Sequence, residues 1–121
     1  MELKLYQCEH CGNIIYKAYD SGVSVVCCGE KMGEMSASGQ GAKEKHVPVI
    51  ERDGNNITVS VSSVIHPMVE EHFIGIIAAT NEDTVVFKHP KMDSEPILKT
   101  MLEGDVKAYE WCNLHGYWIS E

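Results

Sequence analysis

The sequence has no long apolar run and little positive charge. Its longest apolar stretch, Phe73 to Ala79, falls far short of the roughly 20 residues that carry a helix across a bilayer. Lys and Arg number 10 against 18 Asp and Glu, giving a formal net charge of −8. Binding to a phosphate backbone draws mainly on clustered Lys and Arg. The composition therefore speaks against a nucleic-acid partner, and equally against attraction to anionic lipid. No apolar stretch of about 7–15 residues follows a basic start at the N-terminus, so no secretory signal is expected. The cysteines are five, an odd number, which argues against a fully paired disulfide framework. A reducing cytoplasm is the expected compartment, and cysteines there more often hold metal or do redox chemistry. No internal repeat or low-complexity tract is present.

What is present is a globular mixture of 121 residues, 44% hydrophobic and 23% charged. That length suits one ordinary domain or two small ones. The chemistry-bearing residues are segregated. Cys8, Cys11, Cys27 and Cys28 lie in the first 28 residues, whereas every histidine except His10 lies at or beyond position 46. Between them, Ser36-Ala37-Ser38-Gly39-Gln40-Gly41-Ala42 is small and flexible and reads as a linker. The expected division is a metal-stapled module at 1–35, a linker at 36–43 and a second domain at 44–121. A module of 35 residues cannot bury enough apolar surface to fold without a staple.

The second domain reads mostly as strand. Val47–Ile50 and Ile57–Val61 flank the turn-forming Asp53-Gly54-Asn55-Asn56. Ile57, Val59 and Val61 alternate with Thr58 and Ser60, the period of a half-buried strand. Phe73–Ala79 and Thr84–Lys88 flank another turn, Asn81-Glu82-Asp83, and Val106–Trp111 and Tyr117–Ile119 flank Asn113-Leu114-His115-Gly116. Such short strands with regular turns predict an antiparallel sandwich or barrel. Pro96 to Leu102 is expected to form a short helix.

Cys8-Glu9-His10-Cys11 is a C-x-x-C knuckle whose turn points both sulfurs the same way. Cys27-Cys28 follows it, and four thiolates favour tetrahedral zinc or iron. A thioredoxin-like redox pair is the competing reading, but no βαβ context supports it. Adjacent cysteines reach one ion only through a bent peptide, so a distorted tetrahedron is expected. His10 reads as solvent-facing. The second domain holds His46, His66, His72, His89, Cys112 and His115. Cys112-Asn113-Leu114-His115 repeats the knuckle spacing with one imidazole. Five histidines and a cysteine in a small domain point to metal, but spacing alone leaves open which four histidines bind.

These segments together carry a resemblance. Cys8-x-x-Cys11, Cys27-Cys28, the run Lys43 to Glu51, His66-Pro67-Met68, His72 and Cys112-Asn113-Leu114-His115-Gly116 resemble the desulfoferrodoxins, the two-iron superoxide reductases, over essentially the whole chain. The stretch Thr80 to Gly104 matches no family motif. The resemblance implies a mainly β protein, with a small rubredoxin- or desulforedoxin-like metal domain followed by an immunoglobulin-like β-sandwich. It implies iron on Cys8, Cys11, Cys27 and Cys28, with zinc as the alternative there. It also implies a ferrous ion with His46, His66, His72 and His115 around its equator and Cys112 on one axis. That assignment leaves His10 and His89 unliganded.

The implied activity is one-electron reduction of superoxide to hydrogen peroxide without dioxygen production, re-reduced by rubredoxin or a similar donor, in a homodimer. By the same resemblance, Lys45 attracts superoxide and orders the water that protonates peroxide, and Glu44 binds the oxidised iron afterwards. In so acidic a chain, Lys43 and Lys45 form a rare basic patch that suits steering of a small anion, although such a run is also what an ordinary solvated loop carries. Two other classes compete: a non-catalytic electron carrier using the cysteine site, and a zinc-stapled interaction protein.

Overall fold

The structure is a computed structural model and describes residues 2–37, 46–61 and 66–120. The chain divides into two compact units, Glu2–Ser36 and Ala37–Glu121. Among the described residues there are twelve β-strands.

The first unit has strands β1 (Leu5–Gln7), β2 (Ile14–Tyr16), β3 (Val26–Cys27), β4 (Glu30–Lys31) and β5 (Gly33–Glu34). They form a three-stranded sheet in the order β2-β1-β5 and a small β3-β4 hairpin. Its buried apolar side chains are Leu3, Leu5, Cys8 and Met32. So small a core cannot offset the chain entropy of ordering the unit, which therefore needs a further cross-link.

The second unit has β6 (Pro48–Asp53), β7 (Asn56–Val61), β8 (Ile74–Thr80), β9 (Val85–Lys88), β10 (Ile97–Met101), β11 (Lys107–Cys112) and β12 (Gly116–Ile119). One sheet has the order β10-β7-β6 and the other β12-β11-β8-β9, with every pairing antiparallel. The two sheets share one core. Ile57, Val59, Val61 and Leu98 from the first meet Ile74, Ile77, Ala79, Ala108 and Cys112 from the second. This is the two-layered β-sandwich expected. The β6–β7 hairpin closes through Gly54-Asn55, with Gly54 at φ 62°, a conformation that suits glycine. At the β8–β9 turn, Asn81 Oδ1 accepts the N–H groups of Asp83 (3.1 Å) and Thr84 (2.9 Å).

One expected element is corrected. The segment Pro96 to Leu102 is not a helix; Ile97–Met101 is β10, in register with Asn56–Ser60 of β7. Leu98 sits opposite Val59 and both are buried. Pairing with an existing apolar strand outweighs the local helix preference of Leu, Lys and Met.

A second irregularity bears on the site. β11 pairs in step with β8 from Lys107–Thr80 to Trp111–Ile76, and then Cys112 pairs with Ile74. Gly75 is thus the extra residue of a β-bulge. A Cβ there would lie 2.7 Å from Trp111 Cζ3 and 2.8 Å from its Cε3, so the indole ring occupies the space a side chain would need. Bulges re-aim side chains beside functional sites; this one immediately precedes the turn of Cys112.

Candidate metal centres

The first cluster is built from two turns. After β1, Gly12 N–H donates to the Cys8 carbonyl (2.9 Å) and Cys11 N–H points at Cys8 Sγ (3.5 Å). Gly12 has φ 84°, which lets the knuckle fold back on itself. The second turn is Cys28-Gly29, which joins β3 to β4 in a two-residue hairpin. Both of its residues have positive φ, 52° and 81°, the backbone of a type I′ turn. That turn supplies the bend the adjacent cysteines require.

One sulfur from each of Cys8, Cys11, Cys27 and Cys28 lies within 4.8 Å of the others. Cys11 and Cys27 sulfurs are 3.6 Å apart, and those of Cys27 and Cys28 are 4.0 Å apart. Sulfurs on a tetrahedron about 2.3 Å from a metal are separated by about 3.8 Å, whereas a disulfide is about 2.05 Å long. The spacing fits a shared ion, and all five cysteines are free thiols.

The electrostatics agree. The backbone N–H of Cys11 lowers the Cys8 thiol to about 6. Hydrogen bonding with the Cys11 and Cys8 sulfurs pushes Cys28 up to about 12, and the same two neighbours raise Cys27. One thiolate forms readily and the next resist, because their S–H groups are held as hydrogen-bond donors to the neighbouring sulfurs; a cation would replace those protons. His10 lies outside this set, exposed and 3.0 Å from the Glu30 carboxylate.

The second cluster is in the sandwich. His46, His66, His72 and Cys112 each place a ligand atom within 4.8 Å of the others. His115 joins them, its Nδ1 3.8 Å from Cys112 Sγ. Ring centroids run His46–His66 4.9 Å, His66–His72 4.6 Å, His72–His115 5.1 Å and His115–His46 4.6 Å. The His46–His72 separation is 6.5 Å, longer than the sides by nearly the ratio a square demands. Four imidazoles therefore surround one point, and Cys112 Sγ lies 3.5 Å from His66 Nε2. Converging neutral imidazoles and a thiol form a donor set suited to a transition metal, and the residues fit an ion.

Supporting contacts fix several rings. His66 Nδ1–H donates to the Pro67 carbonyl (2.6 Å), which turns Nε2 towards the cluster in the manner of orienting contacts behind metal-bound histidines. Met68 is buried, and its sulfur accepts the Ile74 N–H at 3.3 Å. The His46 ring is fully buried, with Trp118 stacked on it at 5.3 Å and Glu110 Oε1 3.6 Å from its Nδ1. Trp118 Nε1–H donates to the His115 carbonyl (3.1 Å). Burial pushes the Glu110 carboxyl up to about 9 and raises the Cys112 thiol. His115 is exposed and His72 half-buried, whereas His46, His66 and Cys112 are buried. The cluster thus meets solvent on its His115 side.

His89 is outside the cluster, exposed, with Nδ1 3.2 Å from the Gly75 carbonyl. Glu44 and Lys45 lie outside the described residues. Sequence reasoning missed Glu110, Trp118 and Gly75. An acid at Glu110, two positions before Cys112 and flanked by Tyr109 and Trp111, was the one available signal.

Comparison with known proteins agrees with both clusters. The family model described as Desulfoferrodoxin matches residues 38–121. The desulfoferrodoxin of Nitratidesulfovibrio vulgaris is 43% identical over 122 residues, covering 99% of this chain and 97% of that protein. A superoxide reductase of Pyrococcus horikoshii is 32% identical over 115 residues, covering 73% of this chain and 94% of the relative. The crystal structure of the superoxide reductase from Treponema pallidum superposes with a TM-score of 0.78 at 33% identity, covering 99% of this chain and 98% of that one. The fold and the two clusters define a protein with two metal centres, one of four cysteines and one of four histidines and a cysteine. The chain belongs to the desulfoferrodoxin family.

Proposed function

We propose that the protein is a superoxide reductase: superoxide, one electron and two protons give hydrogen peroxide, and no dioxygen is formed. The observation that carries this is the near-square of four imidazoles beside a buried thiol, with His115 exposed to solvent. Five donors exceed the four that structural zinc takes, which favours iron at this cluster. A ferrous ion held there supplies the single electron.

The chain's own residues set the conditions. Neutral imidazoles leave the cation's charge largely uncompensated, so a small anion is drawn to the cluster. Cys112 is desolvated, which opposes its thiolate form; the N–H groups of Leu114 and His115 oppose that effect, and a metal cation completes the compensation. A thiolate ligand donates electron density to iron. The exposed His115 side admits superoxide and the solvent protons it needs.

In this reading Lys45 steers superoxide and orders the water that gives up a proton, and Glu44 would offer a carboxylate to the oxidised metal once the product has left. Support comes from the chain itself: Lys45 directly precedes the buried His46, and consecutive Cα atoms are about 3.8 Å apart. The first cluster holds iron, with zinc as its substitute. A small reduced iron protein of the rubredoxin kind supplies electrons in a reducing cytoplasm. The protein acts as a homodimer, a reading supported by the exposed Tyr19, Val23 and Val26 of the small first unit.

Rapid mixing of the reduced, iron-loaded protein with superoxide tests the reading. Oxidation of the second centre should follow the superoxide concentration while the first centre's spectrum lags or stays unchanged. A second centre that stays ferrous while superoxide persists would overturn it.

A further inference from the structure

Asn113 stands in a turn between two ligands, Cys112 and His115, and the proposed reaction does not use its side chain. Its contacts all run to one place. Asn113 Oδ1 accepts the Phe73 N–H (2.8 Å), Nδ2 donates to the Glu71 carbonyl (3.0 Å), and its own N–H donates to the Phe73 carbonyl (3.2 Å). The amide orientation follows from chemistry, because an N–H must meet an acceptor and a carbonyl a donor. Glu71 and Phe73 flank His72. The turn carrying His72 is itself closed by paired hydrogen bonds between Val69 and His72, at 3.0 and 3.1 Å. The backbone next to one ligand is thereby tied to the backbone next to another.

We propose that Asn113 is a positioning residue that clamps the His72 turn to the Cys112–His115 turn, so that the second centre's ligands are held in place before the metal arrives. The inference rests on that centre holding iron. Without the side-chain clamp, the His72 turn keeps only backbone ties to the Cys112 turn, Asn113 N–H to the Phe73 carbonyl and the pairing of Cys112 with Ile74, and is held less tightly although no ligand has been removed. Supporting contacts behind metal ligands are worth about 10–100-fold in metal affinity.

The test compares Asn113→Ala and Asn113→Asp with Asn81→Ala in the full iron-loaded chain. Asn81 also joins two segments of this unit, donating to the Glu103 carbonyl at 3.0 Å and capping its own turn, but it holds no ligand-bearing segment. Iron transfer to a chelator and the second centre's thiolate-to-iron band are read, with the first centre as internal reference. Asn113→Ala should release the second iron about 10–100-fold faster and shift its band, and leave the first centre as in wild type. Asn113→Asp keeps the bond to Phe73, loses the one to Glu71, and should fall between the two. Asn81→Ala should lower the melting temperature and keep wild-type iron retention. If Asn113→Ala does not fold, Asn113→Asp decides alone. Wild-type release and band in the Asn113 variants, or equal iron loss in Asn81→Ala, would overturn the inference. A wild-type protein with no second iron band would instead overturn the proposed function.

Discussion

Glu110 and Trp118 face each other across β11 and β12, and both bear on one ring. The carboxylate lies 3.6 Å from His46 Nδ1, and the indole stacks on the same imidazole. Partners across an antiparallel pair share a face, so the hairpin whose turn begins at Cys112 also fixes the orientation of His46.

Burial raises the Glu110 carboxyl from 4.5 to about 9. The folded chain therefore holds this proton more tightly than the unfolded one. The resulting stability is whole below about pH 4.5 and is lost as pH rises towards about 9. Glu110→Gln cannot ionise and should gain on wild type across that interval. Urea unfolding at several pH values checks this; parallel pH profiles for the two proteins would contradict it.

Gly75→Ala should displace Trp111 and strain the bulge that ends at Cys112. The expected cost is about 1–3 kcal/mol, the range for overpacking a filled site. Chemical denaturation measures it. A stability change under about 0.5 kcal/mol, the ordinary range for surface substitutions, would show that the indole yields freely.

Much of this arrangement was legible in the sequence, and what was not has identifiable causes. The alternation of Ile57, Val59 and Val61 announces a strand because its apolar period is local. The four N-terminal cysteines stand out because a short module has little else to hold it together. Pro96 to Leu102 misleads because its strand state depends on Val59, some forty residues away. Glu110 and Asn113 are hidden for the same reason: their partners, His46 and Glu71–Phe73, are brought near only by sheet pairing. Glu44 and Lys45 rest on sequence alone.

Cys112→Ser should abolish the second centre's thiolate-to-iron band and most superoxide reduction, and leave the first centre coloured. Cys112 is the only cysteine outside the first unit. Visible absorption and resonance Raman spectra of the oxidised protein read this directly. A second-centre spectrum like that of wild type would remove Cys112 from the ligand set.

Cys28→Ser should have the converse effect. Its sulfur belongs to the first cluster, so the first metal should be lost or labile and the first unit less stable. Reduction of superoxide with a chemical electron source should continue. Loss of that reaction in a protein whose second centre is spectroscopically intact would show that the two centres do not work separately.

If Lys45 steers superoxide, Lys45→Ala should slow the bimolecular reaction and flatten its response to salt, with the iron spectrum near wild type. The chain carries −8 overall, so a local cation matters most where salt screening is weak, at Debye lengths of about 10 Å or more. Pulsed superoxide measurements across ionic strength decide this; equal rates at low salt would return the Lys43–Lys45 run to an ordinary solvated turn.

The most direct measurement is the product balance when fully reduced protein consumes superoxide, with hydrogen peroxide and dioxygen quantified together. Reduction predicts about one peroxide per superoxide consumed by the ferrous protein and no dioxygen above the uncatalysed background. Dioxygen and peroxide appearing in equal amounts, each half of the superoxide consumed, would mean dismutation and would contradict the account.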